Sequence, residues 1–177
     1  MNDAEEKRSL TVSEDSSRAA DLEADAIIKK HMAFAMAGGA IPVPVVDLAA
    51  VTAVQLDLLK QLAAHYEADF EGRSARAFLT SLTAALAGSS VARIGASLAK
   101  AVPGIGTLGG GVAQILLTGA STYAVGRLFK RVFREGNGLE ALDLAAVREE
   151  VLEYLEAGKE SAGKLWTSLR DQDNGHG

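Results

Sequence analysis

The sequence predicts an all-α protein: two Pro/Gly-tipped helical hairpins flanked by N- and C-terminal amphipathic helices. Three observations lead there. Apolar residues recur at three- and four-residue steps through several long segments, which is how a helix with one buried face reads. The only prolines, Pro42, Pro44 and Pro103, fall with glycines in short runs between those segments. Aromatic residues make up 5% of a chain that is 48% hydrophobic, so Ala and Gly carry much of the apolar content. Small residues let helix backbones approach closely, as membrane helices do.

The 177 residues are enough for one hydrophobic core. Residues 1–16 are rich in Ser, Asp and Glu without apolar periodicity and read as a disordered acidic tail. Residues 17–136 form the helical hairpin core, 137–170 an acidic amphipathic helix and 171–177 a frayed end. Thr11-Val-Ser-Glu14 fits a capping box, with Ser13, Ser16 and Ser17 as alternative caps, so the first helix is expected from about Ser17 to Gly38. GAIPVPVVD is a rigid turn, because proline fixes its own φ and extends the residue before it. Asp47 is a good N-cap for the next helix, whose Leu48, Val51, Gln55, Leu58, Leu59 and Leu62 share a face up to a break at Gly72.

From Arg73 to about Ala101 the chain is helical again, and Ala84, Gly88, Ala92 and Ala96 make a small-residue ridge. Pro103 and PGIGTLGGG break it. A helix from Val112 to about Phe133 stops at Glu135-Gly-Asn-Gly138. Gly106-Gly110-Gln114 and Gly111-Ile115-Gly119 offer further close-packing ridges. The last helix places Leu144, Val147, Val151, Tyr154 and Leu155 on one stripe, read as a surface for a protein partner. GAIPVPVVDLAAVTAVQ and KAVPGIGTLGGGVAQIL echo one another, with Pro42 on Pro103 and Val51 on Val112.

Charge separates the chain into three zones. Residues 1–30 hold eight acidic and five basic side chains, 31–134 five and nine, and 135–177 ten and four. The apolar middle is therefore basic between acidic flanks, which suits either an anionic membrane surface or the protein's own ends. Residues 101–126 contain no charged side chain, although Pro103 and seven glycines interrupt them. Both turns, apart from Asp47, are free of charge, and the cations lie at the hairpin bases, as insertion from one side requires. The expected membrane-contact tips are Ile41, Pro42, Val43 and Pro44, and Pro103, Gly104, Ile105 and Gly106. A carboxylate at Asp47 opposes deep insertion.

Arg127, Lys130, Arg131 and Arg134 share one helical face, spaced for phosphate contact. A solvated face, or one paired with the acidic terminal helix, explains them equally well. Nucleic acid is disfavoured by the net charge of −5 and by the lack of interleaved aromatics. Gly104-Ile-Gly106-Thr-Leu-Gly109 matches a dinucleotide fingerprint, but it follows a proline rather than a strand, and no acidic residue stands about 20 positions on. His31, His65 and His176 are scattered. His65-Tyr66-Glu67-Ala-Asp69 gathers polar groups at a helix end rather than a metal set. With no cysteine there is no disulfide, thiolate site or Cys nucleophile. The expectation is a non-enzymatic chain without cofactor, metal or small-molecule substrate. The polar N-terminus resembles no secretory signal, which places the protein in the cytoplasm or on the cytoplasmic face of the inner membrane.

IPVPVVDLAAVTAVQLDLLKQLAAHY, through Pro42, Pro44, Asp47, Gln55, Leu62, Ala63 and Tyr66, resembles a bacterial domain of unknown function. That domain (number 697) is found C-terminal to Era-like GTPase domains and in YcjF-like inner-membrane proteins. VPGIGTLGGG resembles its second tip, and Thr122, Gly126 and Phe133 match the helix that follows. The resemblance covers about residues 25–136. It implies an α-helical, membrane-associated protein that accompanies a small GTPase. Because no GTPase domain is present here, the GTPase would be a separate chain. The strong N-terminal transmembrane pair of YcjF-like members is also absent. The reading is a membrane-associated adaptor meeting an anionic lipid surface and a protein partner. The alternative is a soluble structural bundle that self-assembles as a homo-oligomer through its small-residue faces.

Overall fold

The computed structural model describes residues 3–38, 44–87, 109–138 and 142–174. It is all-α, as the periodicity predicts. Among the described residues five helices follow one another: α1 (Asp3–Gly38), α2 (Pro44–His65), α3 (Gly72–Ala87), α4 (Gly109–Arg134) and α5 (Leu144–Asn174). The described residues include no strand.

Helix α1 begins at Asp3 rather than near Ser17, and α5 runs to Asn174 rather than fraying at 171. No Gly or Pro occurs between Asp3 and Ala37. Only its second half is anchored, through buried Ala24, Ile28, Met32, Ala35 and Met36. Once that half is held, adding a turn costs far less than starting one, so the polar segment extends the helix without an apolar face. Residues 8–19 are accordingly exposed throughout.

Helix α2 starts at Pro44, which needs no amide donor in a first turn, so Asp47 lies inside the helix instead of capping it. Its end is not made by Gly72. Glu67 takes a left-handed φ of 52°, Ala68 donates to the Ala63 carbonyl at 2.8 Å and Glu67 to that of Ala64 at 3.4 Å. That is a Schellman closure with a non-glycine residue at the position glycine favours. Gly72 instead opens α3. Helix α4 stops where EGNG predicts: Gly136 has φ 69°, and Asn137 and Gly136 donate back to Val132 and Phe133, both at 3.0 Å.

The centre of the fold is α4. Along it Leu116, Ala120, Ala124, Leu128, Phe129 and Val132 are almost wholly buried. It lies between α1, α2 and α5. It runs antiparallel to α5, with Arg131 against Glu150 at one end and Gly119 against Ala162 at the other. It is antiparallel to α1 as well, from Asp21 near Arg134 to Met36 near Gly119. Helix α3 packs on α2 and α5 through the core residues Ala75, Leu79 and Leu82. Phe78 meets Phe129 edge-on at 5.6 Å. Of the Ala84 ridge only Ala84 lies within the described residues, and it is exposed.

Glycines set how close these helices come. A Cβ on Gly158 of α5 would stand 2.7 Å from the Ala120 carbonyl oxygen and 3.0 Å from its Cα. A Cβ on Gly126 would meet Ile28 at 2.8 Å and Leu58 at 3.2 Å, and one on Gly119 would meet Met36 at 2.7 Å. Among the described residues no helix is long and apolar enough to cross a membrane.

Gly158 and Gly163 make a direct test, since both lie in α5. At Gly158 the obstacle is backbone, so Gly158→Ala forces α4 and α5 apart and is expected to cost about 1–3 kcal/mol in thermal or urea unfolding. A methyl group on Gly163 would meet nothing within 4 Å. Gly163→Ala is therefore expected to stabilise the chain by up to about 1 kcal/mol through helix propensity.

Candidate functional site

The basic stripe of α4 is drawn together as its spacing predicts, and every member meets a carboxylate of the same chain. Lys130 is buried; its Nζ donates to Asp25 Oδ1 at 2.7 Å and to the Asp21 carbonyl at 2.9 Å. Arg127 donates to the same Asp25 oxygen at 3.0 Å, and Arg134 to Asp21 Oδ2 at 3.3 Å. Arg131 turns the other way, reaching both oxygens of Glu150 on α5 at 2.6 and 2.8 Å, with Glu135 at 3.1 Å. A two-pronged guanidinium–carboxylate pair is the strongest geometry open to these groups. The stripe thus joins the acidic parts of α1 and α5 to the centre of the bundle.

Around these pairs lies a cleft of about 540 Å³ between α1, α4 and α5, with Arg18, Leu22 and Tyr154 at its edges. Burial pushes the Asp21 carboxyl up, but Lys130 and Arg134 outweigh it and hold the group below its usual range, helped by the Tyr66 hydroxyl at 3.3 Å. Burial likewise opposes ionisation of Glu150, and Arg131 and Tyr154 pull it down on balance. Burial and the neighbouring Asp21 push Tyr66 up to about 12. Tyr66 therefore acts as a hydrogen-bond donor and not as a base.

A second polar pair ties α1 to α2. His31 is 2% exposed; its Nδ1 donates to the Ile27 carbonyl at 2.8 Å, and Nε2 lies 3.0 Å from Asp57 Oδ2. Gln61 donates to that same Asp57 oxygen at 2.8 Å. The hydrogen bond from His31 is the main reason the Asp57 carboxyl sits below its usual range. His65 makes a matching clasp lower down, 2.8 Å from the Ala20 carbonyl, with Glu23 at 3.7 Å. The polar cluster at His65 is thus an interhelical fastening. Among the described residues no three His, Asp or Glu side chains gather as a metal set.

The stripe expected to face a partner is turned inward. Val147, Val151 and Leu155 are buried, and Leu144 and Tyr154 pack against the same core. The reason lies in α4, whose small residues leave a trough that an apolar helix must fill. The exposed face of α5 is instead acidic, with Glu149, Glu153, Glu156 and Glu160. Of the tips, Ile41, Pro42, Val43, Pro103, Gly104, Ile105 and Gly106 lie outside the described residues, as do Gly88, Ala92 and Ala96 of the ridge. Pro44 is the first residue of α2.

Sequence reasoning passed over Asp21 and Asp25, which stand four residues apart on α1 and answer Lys130 and Arg134, four apart on α4. That matched spacing of opposite charges was the one signal that could have found them. His31 had none, since a single histidine in an apolar run looks like any core position.

Asp25→Ala would leave the buried Lys130 ammonium with Asp21 as its one remaining carboxylate, 3.5 Å away, and is expected to cost about 1–3 kcal/mol in urea unfolding. Pairing it with Lys130→Met should recover part of that loss, because the buried charge that has lost its nearest partner is removed as well. Asp21, Asp57 and Glu150 are all held below their ordinary values of 3.8, 3.8 and 4.5. Their contribution is present above those values and is lost as the pH falls through the lower folded-state values. The thermal midpoint should thus hold between pH 7 and 5 and drop below about pH 4.

Comparison with known proteins comes to the same grouping as the tip motifs. The family model described as "Domain of unknown function (DUF697)" matches residues 5–166. The chain is 33% identical over 146 residues to "Magnetosome membrane protein 22" of Magnetospirillum gryphiswaldense (strain DSM 6361 / JCM 21280 / NBRC 15271 / MSR-1), covering 82% of this chain and 75% of that protein. No solved structure matches. With nearly the whole helical body inside that match, the chain belongs to the DUF697 family of domains of unknown function.

Proposed function

We propose that this protein is a non-catalytic, membrane-associated adaptor whose Pro/Gly turns meet lipid and whose outer helix faces meet a protein partner. The observation that carries this reading is the kinship with a relative named a membrane protein, taken together with the uncharged stretch 101–126. The packing supports a scaffold role. Asp21, Asp25, Arg127, Lys130, Arg131 and Arg134 of the α1–α4–α5 cleft each have an opposite charge as partner, which suits holding helices together rather than exchanging protons with a substrate.

The partner would meet the acidic outer face of α5, since the apolar face of that helix is occupied. A separate small GTPase is the partner that the family resemblance suggests. The cytoplasmic face of the inner membrane is the matching location.

Self-assembly is a second reading, favoured by Leu10 and Val12 on the projecting part of α1, which are 57% and 63% exposed. Mass measured by light scattering across a wide dilution range separates the two: a constant monomer removes self-assembly.

Fractionation of the expressed protein tests the membrane reading, with membranes washed first in high salt and then at alkaline pH. Retention through both washes is expected, together with release of Val43→Asp and Ile105→Asp variants that keep the wild-type melting curve. Full recovery of the wild type in the soluble fraction would remove the reading.

A further inference from the structure

The groove between α2 and α3 is basic like the α4 stripe but differs from it in how its cations are paired. It encloses about 500 Å³. Lys60 stands on the α2 wall, and Arg73 and Arg76, one turn apart, stand on the α3 wall. All three are exposed. None makes an ion pair among the described residues, whereas Arg127, Lys130, Arg131 and Arg134 all do. The one carboxylate on the lining, Asp57, is hydrogen-bonded by His31 and Gln61 and also feels the charge of Lys60, which leaves Arg73 and Arg76 without a carboxylate on the lining that answers them. Glu71, at the start of α3, accepts from Ser74 at 2.5 Å and is not on the lining.

Leu56 and Phe70 line the same groove and are partly buried against the core. Three cations answered by one committed carboxylate, in a chain of net charge −5, leave a local excess of positive charge. The first turn of the 16-residue α3 adds its positive dipole end. Guanidinium groups are the planar donors that match phosphate oxygens in pairs. An apolar floor beside them suits an organic phosphate better than a bare ion.

We propose that the α2–α3 groove is a phosphate-ester site in which Arg73, Arg76 and Lys60 hold the phosphate and Leu56 and Phe70 take the apolar part attached to it. The phosphate is that of an anionic lipid headgroup or of a soluble ester. The lipid source rests on the membrane reading above, and the soluble source does not.

The full chain is compared with Arg73→Gln/Arg76→Gln, with Lys60→Gln, and with Arg170→Gln as an exposed charge control outside the groove. Two probes are used: vesicles of phosphatidylcholine with and without phosphatidylglycerol, and glycerol 3-phosphate followed by amide shifts of residues 72–76. For the lipid source, affinity for phosphatidylglycerol vesicles should fall about thirtyfold in the double arginine variant and about fivefold in Lys60→Gln. It should stay within about twofold in Arg170→Gln. For the soluble source, glycerol 3-phosphate should shift residues 72–76 in the wild type and not in the double variant, whatever the vesicles do. Shifts without any vesicle binding support the groove and remove only the membrane reading. Vesicle binding untouched by either groove variant, with no shift from glycerol 3-phosphate, overturns the groove and leaves the membrane reading standing. Binding of neither probe overturns both. Thermal melts check folding, and Lys60→Gln carries the same comparison if the double variant does not fold.

Discussion

The backbone approach of α4 and α5 at Gly158 and Ala120 is the constraint on which the rest of the molecule depends. No side chain separates the two helices at that point. Everything above and below must follow the resulting line. Gly119 admits Met36 on one side and Ala162 on the other, and Gly126 admits Ile28 and Leu58. A helix with so little bulk at its contacts can be surrounded by three others, and this is how α4 comes to be buried on most of its circumference. Few aromatic side chains are needed in such a core, because tightness comes from close backbones rather than from large residues.

Close approach also explains where the charges went. Once α1 and α5 lie against α4, the basic stripe is trapped beside their acidic residues, and leaving Lys130 without a partner there would be costly. Asp21 and Asp25 of α1 meet that need, and Glu150 of α5 does the same for Arg131. The groove between α2 and α3 lies outside this arrangement. Arg73 and Arg76 sit on the exposed side of α3, and Lys60 on the exposed side of α2, so the packing does not require them to be neutralised.

The two halves of the molecule thus divide their labour. The charged interior of the α1–α4–α5 side sets geometry. Among the described residues, the cations of the α2–α3 side and the acidic outer face of α5 are the surfaces left open. The proposed adaptor fits that division, because its working parts would be on the outside of a body whose basic stripe is already paired.

Helix content, the stop at EGNG, the basic stripe and the apolar stripe of α5 were all determined by the sequence itself, since each depends on periodicity or on local backbone chemistry. The family could be read from Pro42, Pro44, Asp47 and the second tip for the same reason. Only the tertiary structure decided which surface each stripe would face. The face of α5 carrying Val147, Val151 and Leu155 is apolar whether it meets a partner or α4, and it meets α4 because small residues there leave room. Whether Lys130 and Arg134 hold phosphate or Asp21 depends on a helix more than 100 residues away in the chain. The extension of α1 to Asp3 was hidden likewise: it is supported by the anchoring of residues 24–36 in the core, not by any pattern of its own.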